Sequence, residues 1–505
     1  MVSQWGIKFA VHLITAHFGK IVANVAEKLL NNGPLTLELV TRYTELSNEH
    51  VKNSLLVLIQ HNCVQAFTEA GDEDGSRVVK PKYLVLFDNI VHRLRFPKFM
   101  EIVSQELDDK CVTILKGLLR DGRLTLKQLV DMGQDKENAM APDAVRESLC
   151  RLLRARYVER CPVPEAKIVE EKGDDKKGRS TSNKKARVFK VPEEHRVVEA
   201  AKRGDMIRFS LTAYTGCSSD GETKLADISV AENVAKEESF LWRANFEEFI
   251  RYLRDKALIE NVRARMDDGA ATVLSAILEA TRNIDKNVKI EQSAPCTLDT
   301  ISSEVMKTEN GRTMTMDRVK AALVQLGCAN QNIVDFKRII HLARNEEVES
   351  IVLKRYGRDA YRMFRHLLKE NQFRPTDQIA EATLVEKKEA PKLLFKLWRE
   401  NYLQMEKLTV SMTSQNGTSP ILMWKVNQPL LWEHVLDEMY HGALNLKLRM
   451  AFEEEKDEEI LNISKKTRNE SAPLQKKYER LRNVLLLLKS SLMKLDDALM
   501  LFHDF

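Results

Sequence analysis

Leu29–Leu37 reads LLNNGPLTL, and the same pattern returns 89 positions later as LLRDGRLTL at Leu118–Leu126. A second block follows each copy, because VKNSL at Val51–Leu55 returns as VRESL at Val145–Leu149. The repeated segment is about 90 residues long, which is the size of a small domain. Solenoid repeats have shorter periods, roughly 20–50 residues. The sequence therefore predicts a small domain that is copied in tandem.

Each copy has the pattern of a winged helix, which is three helices followed by a β-hairpin. Gly33 and Gly122 stand where a helix ends in a left-handed cap. Each glycine is soon followed by Leu-Thr-Leu, which predicts a short second helix with the Thr as its N-cap. In the first copy a third helix opens at Ser47 and carries apolar residues at helical spacing. Two strand-like runs, 63–67 and 78–87, then flank a polar, glycine-rich loop and predict the hairpin.

Two weaker copies follow. Residues 318–326 and 387–398 repeat the pattern of the third helix, and Asn371 stands where the earlier copies have glycine. In the last copy, Asn416–Gly417 provides a strong hairpin turn between two strand-like runs. We predict a mainly α-helical chain with small β-hairpin wings, in four tandem extended winged-helix domains: 1–92, 93–200, 201–345 and 346–428.

Residues 429–505 are predicted to form an antiparallel coiled-coil hairpin. Apolar residues recur at alternating steps of four and three from Leu474 to Phe502, which is a heptad seam. Residues 432–450 carry a matching seam, and the charged stretch 453–472 can turn the chain back. The seam can pair within this chain, or a wider apolar strip that includes Leu486 and Leu487 can bind another protein. The seam residues proposed to bind a partner are Leu481, Leu485, Leu488, Leu492, Leu495 and Leu499.

The composition is that of an ordinary soluble protein, with 43% hydrophobic and 30% charged residues among 505. No run of 18 apolar residues occurs, so no membrane-spanning helix is expected, and no secretory signal is expected either. The seven cysteines are scattered and form no C-x-x-C pair, so they are expected to be reduced thiols, not zinc ligands. The sequence contains no phosphate loop, nucleophile elbow or zinc-protease helix, and we expect neither a catalytic site nor a cofactor.

The positive charge is concentrated in one segment. The whole chain has a net charge of +5, and residues 166–190 carry nine basic and four acidic residues. Residues 166–187 are predicted to be a disordered, charged insertion in the wing of the second domain. They can form a solvated loop, contact DNA phosphates or act as a nuclear import signal. The DNA-contact candidates in this segment are Lys176, Lys177, Arg179, Lys184, Lys185 and Arg187.

Further DNA-contact candidates lie on the third helices, which enter the major groove in DNA-binding winged helices. They are Arg146, Arg151 and Arg154 in the second domain, with Lys387, Lys388 and Lys392 in the fourth. No third helix has a dense basic stripe, and the chain as a whole is close to neutral. We therefore expect a protein that is held near DNA by a larger assembly, not one that binds DNA tightly alone.

The chain resembles a family of RNA polymerase III subunits, the one that leads the polymerase's initiation-specific three-subunit subcomplex. This family is similar to the alpha subunit of general transcription factor E. The resemblance covers the whole chain and is carried by WGIKFA at Trp5–Ala10, by the two repeated glycine motifs, by RFPKF at Arg95–Phe99 and by the final heptads.

The resemblance implies four extended winged helices, a C-terminal coiled coil and a non-catalytic role in the nucleus. The implied partners are the clamp of the RNA polymerase III core, two other subunits of the heterotrimer, a TFIIIB-type initiation factor and promoter DNA, with no membrane. The implied role is promoter recruitment, promoter opening and initiation of transfer RNA, 5S ribosomal RNA and other small RNA synthesis.

Two other functions remain open. A gene-specific winged-helix transcription factor predicts tight binding of isolated domains to one DNA sequence. A scaffold of the cullin or proteasome-lid kind predicts a long helical repeat before a single terminal winged helix, whereas this sequence places winged-helix patterns near its start.

Overall fold

The computed structural model describes residues 2–69, 80–133, 140–168, 193–211, 240–282, 288–328, 332–408, 421–458 and 472–505. The chain forms two compact units. The N-terminal unit is Ile7–Phe249 with Met1–Val2, and the C-terminal unit is Ile250–Phe505 with Ser3–Gly6. Helices dominate both units. Within the described ranges, no helix is both long enough and apolar enough to cross a membrane.

The helices are, in chain order, α1 (Gln4–Phe18), α2 (Lys20–Asn32), α3 (Leu37–Thr44), α4 (Asn48–Gln60), α5 (Phe87–His92), α6 (Phe96–Glu106), α7 (Asp109–Asp121), α8 (Leu126–Gly133), α9 (Pro142–Arg154), α10 (Glu193–Ala201), α11 (Asp205–Arg208), α12 (Phe246–Arg265), α13 (Asp268–Thr281), α14 (Leu298–Lys307), α15 (Met316–Gln325), α16 (Phe336–Tyr356), α17 (Arg358–Glu370), α18 (Thr376–Thr383), α19 (Ala390–Arg399), α20 (Gln428–Lys456) and α21 (Ala472–His503). The strands are β1 (Leu35–Thr36), β2 (Val64–Glu69), β3 (Lys82–Val85), β4 (Leu124–Thr125), β5 (Val158–Arg160), β6 (Glu165–Ile168), β7 (Leu241–Ala244), β8 (Arg374–Pro375), β9 (Gln404–Leu408) and β10 (Ile421–Lys425).

The described residues form three small sheets that share one strand arrangement. Their strand orders are β1-β3-β2-β6, β4-β7-β5 and β8-β10-β9. In each sheet, a two-residue leading strand pairs antiparallel with a return strand, and the return strand pairs antiparallel with the first strand of the wing. Three helices with such a sheet form a winged helix, so the chain is a mainly helical protein that contains winged-helix domains.

The first-helix ends follow the sequence pattern. Gly33 and Gly122 end α2 and α7 with φ angles of 78° and 84°, and each N–H donates to a leucine carbonyl four residues earlier. Asn371 ends α17 in the left-handed conformation with a φ of 50°. The predicted Thr caps differ from one another. Thr125 Oγ1 accepts from the N–H of Gln128 at 3.3 Å, whereas the Thr36 side chain makes no such bond.

Four helices of the described residues end in the same way. Asn62, Arg156, Gly327 and Asn401 have φ angles of 59°, 62°, 83° and 61°. Each donates its N–H to the carbonyl three residues earlier, and the following residue donates to the carbonyl five residues earlier. This is the Schellman motif, which satisfies the last carbonyls of a helix. The helices α4, α9, α15 and α19 therefore share one C-terminal geometry.

The sheet of the second repeat closes later in the chain than predicted. β5 pairs with β7, with Val158 opposite Ala244 and Arg160 opposite Trp242. On its other side, β7 pairs with β4. Trp242 is 1% exposed, so burial of this large side chain favours the closure. This corrects the predicted domain boundary at residue 200, because the strand that completes the second sheet ends at Ala244. Residues 188–189, which follow the charged insertion predicted for this wing, lie outside the described residues.

The start of the predicted charged insertion belongs to the first repeat. Residues 165–168 form β6, which pairs in parallel with β2, and Phe67 lies opposite Ala166. Ala166 and Ile168 are buried with Phe67, and Val197 of α10 closes this small core. This corrects the assignment of residues 166–168 to the wing of the second domain. The reason is that an alternating strand buries its two apolar side chains against the sheet of the first repeat.

Within the C-terminal unit, α20 and α21 pack along each other with opposite chain directions. The ring of Tyr440 lies 6.1 Å from that of His503. Further along α20, Gly442 lies next to Leu495, and Lys447 is close enough to Lys489 for the two charges to interact. Later residues of α20 thus lie beside earlier residues of α21, so the two helices are antiparallel.

Two polar contacts anchor these helices to the rest of the C-terminal unit. Arg344 of α16 donates to the carbonyls of Leu501 and Phe505 at 2.9 and 2.8 Å, so a cation meets the carbonyl end of α21. In the second contact, the hydroxyl of Tyr402 and the guanidinium of Arg355 both donate to Glu438 of α20, at 2.9 and 2.8 Å. Neither contact was predicted, because its members lie far apart in the chain.

Candidate nucleic-acid and protein interfaces

The predicted DNA-contact arginines of α9 differ in their surroundings. Arg146 and Arg154 are exposed on the outward face of the helix. Arg151 instead forms an ion pair with Asp108, whose carboxylate also caps α7 by accepting from the N–H of Cys111 at 2.8 Å. The Cys111 hydrogen bond and the Arg151 charge hold the pKa of Asp108 below its usual value. Arg151 is therefore part of the packing of α7 on α9, whereas Arg146 and Arg154 are in no ion pair with another described residue.

The lysines of the fourth repeat show a similar division. Lys387 is paired with Glu381 at 3.0 Å, and Lys392 is paired with Glu389 at 2.8 Å. The hydrogen bond and charge of Glu381 raise the pKa of Lys387. Lys388 is exposed and close in sequence to both pairs. The positive potential of this face is thus partly cancelled by carboxylates of the same repeat, which weakens its attraction for DNA.

Apolar side chains occupy outward positions where a DNA-reading helix would carry polar ones. Six residues before the Schellman residue, α4 has Leu56, which is 63% exposed, and α19 has Phe395, which is 40% exposed. In the turn before α19, Leu384 is 87% exposed and has a φ of 56°, a conformation unfavourable for a branched side chain. Base edges are read by Arg, Lys, Asn and Gln. These faces therefore fit protein contacts better than base contacts.

The described residues on either side of the basic segment belong to the first repeat. The predicted DNA-contact residues of this segment lie outside the described residues: Lys176, Lys177, Arg179, Lys184, Lys185 and Arg187. β6 leads into the segment, and α10 follows it and packs against β6. Ile168 is paired with Glu69 in a parallel register. The last described residue before the basic segment, Ile168, thus lies beside Glu69, the last described residue of β2.

The seam predicted to bind a partner is largely used within the chain. Leu481, Leu492 and Leu499 are buried in the C-terminal unit, at 2%, 4% and 0% exposure. The remaining seam residues Leu485, Leu488 and Leu495 are half-buried. This corrects the assignment of Leu481, Leu492 and Leu499 as partner contacts, because burial inside the unit leaves these three side chains almost no free surface, whereas the half-buried leucines remain predicted contacts. Two other leucines of α21, Leu486 and Leu487, are 67% and 69% exposed and keep the alternative strip open.

A junction in the N-terminal unit was not predicted from the sequence. The Gln60 side chain donates to the carbonyls of Asp121 and Arg123 at 2.9 and 2.6 Å. Between them, Gly122 lies so close to Gln60 that a Cβ would be 2.1 Å from the Gln60 carbonyl oxygen. Arg123 donates to the Asn62 side chain at 3.0 Å. The end of α4 is thus fixed to the turn after α7. Only the glycine of the repeated motif could have indicated this approach.

Among the residues described, no group of three or more His, Cys, Asp or Glu side chains is placed to hold a metal ion. The described cysteines are free thiols: Cys63, Cys111, Cys150, Cys161, Cys296 and Cys328. Burial raises the pKa of the thiols of Cys63 and Cys161 to about 11. Thiols with such values stay protonated near neutral pH and are poor nucleophiles.

Comparison with known proteins shows the family of this chain. Three family models match the chain: the RNA polymerase III subunit RPC82 helix-turn-helix domain at residues 8–69, RNA polymerase III subunit RPC82 at residues 147–332, and the POLR3C C-terminal winged-helix domain at residues 348–426. All three describe the same polymerase subunit. The chain belongs to the RNA polymerase III subunit RPC82/RPC3 family.

Several curated relatives match nearly the whole chain, and others match a part of it. The DNA-directed RNA polymerase III subunit RPC3 of Danio rerio is 24% identical over 496 residues, which cover 92% of this chain and 87% of the relative. The RPC3 subunit of Bos taurus is 23% identical and covers 94% and 89%. The rpc3 subunit of Dictyostelium discoideum is 27% identical over a shorter stretch, 31% of this chain and 27% of the relative.

The ion pair of Arg151 allows a test of which arginine of α9 contacts DNA in this RPC82/RPC3 family member. We expect Arg151→Ala to lower the stability of the N-terminal unit by about 0.5–1 kcal/mol, because a partly exposed ion pair and a helix cap are weakened. Arg154→Ala should change stability by less than about 0.5 kcal/mol. If Arg154 contacts a phosphate, its loss reduces the slope of log affinity against log salt by about one. Thermal unfolding and promoter-DNA anisotropy of the assembled polymerase at several salt concentrations measure both effects.

The roles would be reversed if Arg151→Ala changed only the salt slope while Arg154→Ala changed only the melting temperature. That result would return Arg151 to the DNA-contact set and remove Arg154 from it.

His61 at the Gln60–Gly122 junction predicts a pH dependence. Burial, followed by the charge of Arg93, lowers the pKa of His61 to about 4. The unfolded chain takes up this proton near pH 6.5, whereas the folded chain resists it until about pH 4. The contribution of His61 to the free energy of unfolding is therefore fully present above about pH 6.5 and is lost as the pH decreases toward 4. We expect His61→Gln to show a smaller fall in melting temperature between pH 7 and pH 5 than the unchanged chain.

The exposed His50 gives the control for this prediction, since His50→Gln should retain the full fall in melting temperature. Equal pH dependence in the His61→Gln variant and the unchanged chain would contradict the assignment to His61.

Proposed function

We propose that this chain is a non-catalytic subunit of nuclear DNA-directed RNA polymerase III. In this proposal it acts within a three-subunit subcomplex in promoter recruitment, promoter opening and initiation. The products would be transfer RNA, 5S ribosomal RNA and other small RNAs. The observation that carries the proposal is the similarity to RPC3 subunits along nearly the whole chain, together with three matching domains of one polymerase subunit.

The proposed architecture is four tandem winged-helix domains followed by an antiparallel coiled-coil hairpin at residues 429–505. The four Schellman endings and the three sheets of one plan support the four repeats. The first domain keeps residues 1–92 and gains β6 and α10, while the second begins near residue 93 and closes with β7. The third and fourth end near residues 345 and 428. The opposed contacts of α20 and α21 support the hairpin.

Most winged-helix faces would bind protein subunits in this proposal. The third helices present exposed apolar residues at Leu56 and Phe395, and several of their basic residues are paired with carboxylates. A near-neutral chain with such faces is better suited to docking on a polymerase clamp than to autonomous DNA binding. The partners would be the polymerase core, two subunits of the heterotrimer and a TFIIIB-type factor.

Contact with promoter DNA would be limited and electrostatic. Arg146, Arg154 and Lys388 belong to the predicted set and are exposed, and they lie outside the ion pairs that engage Arg151 and the other two lysines. The basic segment between β6 and α10 would add phosphate contacts near the first wing. Several weak phosphate contacts, combined with the positioning supplied by the polymerase, would hold DNA without reading its sequence.

A reconstituted polymerase tests this function. RNA polymerase III assembled without the chain should lose most of its promoter-dependent transcription of a transfer RNA gene. It should retain elongation from a tailed template that needs no promoter, because the catalytic centre is elsewhere. Adding the full-length chain should restore promoter-dependent transcription. Equal promoter-dependent activity with and without the chain would contradict the initiation role, and a loss of tailed-template elongation would contradict the non-catalytic role.

A further inference from the structure

We propose that the outer edge of β9 in the fourth repeat binds an extended segment of another polymerase subunit, which joins the sheet as a parallel β-strand. The proposal rests on the proposed function for the presence of partner subunits. Its geometry comes from the first repeat of this chain, where a strand already occupies the equivalent edge.

The first and fourth sheets can be compared residue by residue. The left-handed residues Asn62 and Asn401 stand at the same point after α4 and α19. Counting from them places Gln404–Leu408 at the positions of residues 65–69. β9 also has the same antiparallel partner as β2, the return strand of its own repeat. The outer edges of β2 and β9 are therefore equivalent.

In the first repeat, the chain itself covers this edge. β6 pairs in parallel with β2 from Ala66 opposite Glu165 to Glu69 opposite Ile168. The alternating side chains of β6 are exposed, buried, exposed and buried. Its buried residues join Phe67 and Leu84 under α10. An extended strand followed by a helix is thus the occupant that this sheet accepts.

The second repeat also has its first wing strand covered by a segment of the chain. Glu159 and Arg160 of β5 are 3% and 5% exposed. Glu159 is paired with Arg208 of α11, and Arg160 donates to the carbonyl of Leu211 at 3.0 Å. Of the strands that open the three wings, β2 and β5 are therefore covered by other segments of this chain.

The fourth repeat differs at this edge. In the part of the chain that the structure describes, β10 is the only strand paired with β9. Leu408 and Ile421 lie directly opposite each other and are 51% and 43% exposed. Directly opposed residues share a face of the sheet, and so do residues two apart. This is the face equivalent to the one that α10 covers in the first repeat.

An uncovered strand edge with an apolar pair beside it favours strand addition. Unsatisfied N–H and C=O groups of the edge provide affinity, and side chains beside them provide specificity. The register of β6 on β2 predicts the incoming residues by position. A basic residue would lie beside Glu406, an acidic residue beside Lys407 and an apolar residue beside Leu408. The partner is thus a parallel strand in which a basic, an acidic and an apolar residue follow one another in this order.

Amide hydrogen exchange of the full-length chain tests the proposal, because an edge strand exposes about half of its N–H groups to water. Exchange of Gln404–Leu408 should be measured in the free chain and in purified RNA polymerase III that contains it. The amides of Met423 and Trp424 in β10, a strand paired on both sides, are the internal control. A variant with Leu408→Asp and Ile421→Asp alters exposed side chains only and should still fold and enter the polymerase.

We expect outward amides of β9 to exchange at least about tenfold more slowly in the polymerase than in the free chain, and we expect the double variant to lose this protection. The β10 control should be protected in both states. Unchanged β9 exchange in a polymerase that contains the chain would overturn the strand-docking proposal and leave the proposed function intact. A chain that does not enter the polymerase at all would overturn both.

Discussion

Gly122→Ala is expected to destabilise the N-terminal unit by about 4 kcal/mol. The φ of 84° at Gly122 is outside the conformations that alanine adopts freely, which costs roughly 1–3 kcal/mol. The added Cβ would also lie 2.1 Å from the carbonyl oxygen of Gln60. That overlap forces apart two backbone segments, with a further cost of about 1–3 kcal/mol. The Gln60 side chain donates to the carbonyls of the residues before and after Gly122, so the turn has little room to move.

The repeat supplies a matched control in Gly33, which ends α2 as Gly122 ends α7. Gly33 has a φ of 78°, and a Cβ added there would meet nothing within 4 Å. Gly33→Ala should therefore show the backbone strain without the overlap and should cost about 2 kcal/mol less than Gly122→Ala. Thermal or denaturant unfolding of the full-length chain measures the difference. Equal destabilisation by the two variants would show that the junction at Gln60 does not restrict Gly122.

Leu499→Asp is expected to prevent α21 from packing in the C-terminal unit. Leu499 is 0% exposed, and removing a buried leucine side chain costs roughly 2–5 kcal/mol. The carboxylate would add the cost of burying an unpaired polar group, and together with the packing loss this cost is comparable to the whole stability of a domain. We expect the cooperative thermal transition of the C-terminal unit to disappear and α21 to become sensitive to limited proteolysis.

Leu487→Asp is the matched control, since Leu487 is on the same helix and is 69% exposed. It should change stability by less than about 0.5 kcal/mol. If the exposed strip binds the polymerase, the double variant Leu486→Asp, Leu487→Asp should fold normally and be recovered with less polymerase. A Leu499→Asp variant that melts like the unchanged chain would contradict internal pairing of the seam and return Leu499 to the partner-binding set.

Features that depend on neighbouring residues could be predicted from the sequence. The helix ends at Gly33, Gly122 and Asn371 follow from local backbone preferences and have the predicted positive φ angles. The third helix opens at Ser47, whose side chain accepts from the N–H of His50 as a cap. The hairpin of the fourth repeat was predicted from strand patterns on both sides of its turn, and β9 and β10 lie within those runs.

Features that depend on distant residues could not be predicted. β6 joins a strand about a hundred positions earlier, and β7 closes a sheet that begins at Leu124. Residues 166–168 were predicted to begin a disordered insertion, because so short an alternating pattern does not say that a strand forms or which sheet edge receives it. Likewise, the spacing on α9 places Arg151 outward, but only the fold brings Asp108 to it. A heptad seam predicts helix pairing, whereas burial shows that the seam is filled within this chain.

The most direct test of membership in the polymerase is affinity purification of the tagged full-length chain from nuclear extract at moderate salt, with quantitative mass spectrometry of the recovered proteins. We predict that the RNA polymerase III core and the other subunits of the heterotrimer are recovered in stoichiometric amounts. Recovery of the chain alone, or with a ubiquitin-ligase or proteasome complex in place of the polymerase, would contradict its proposed role as a polymerase subunit.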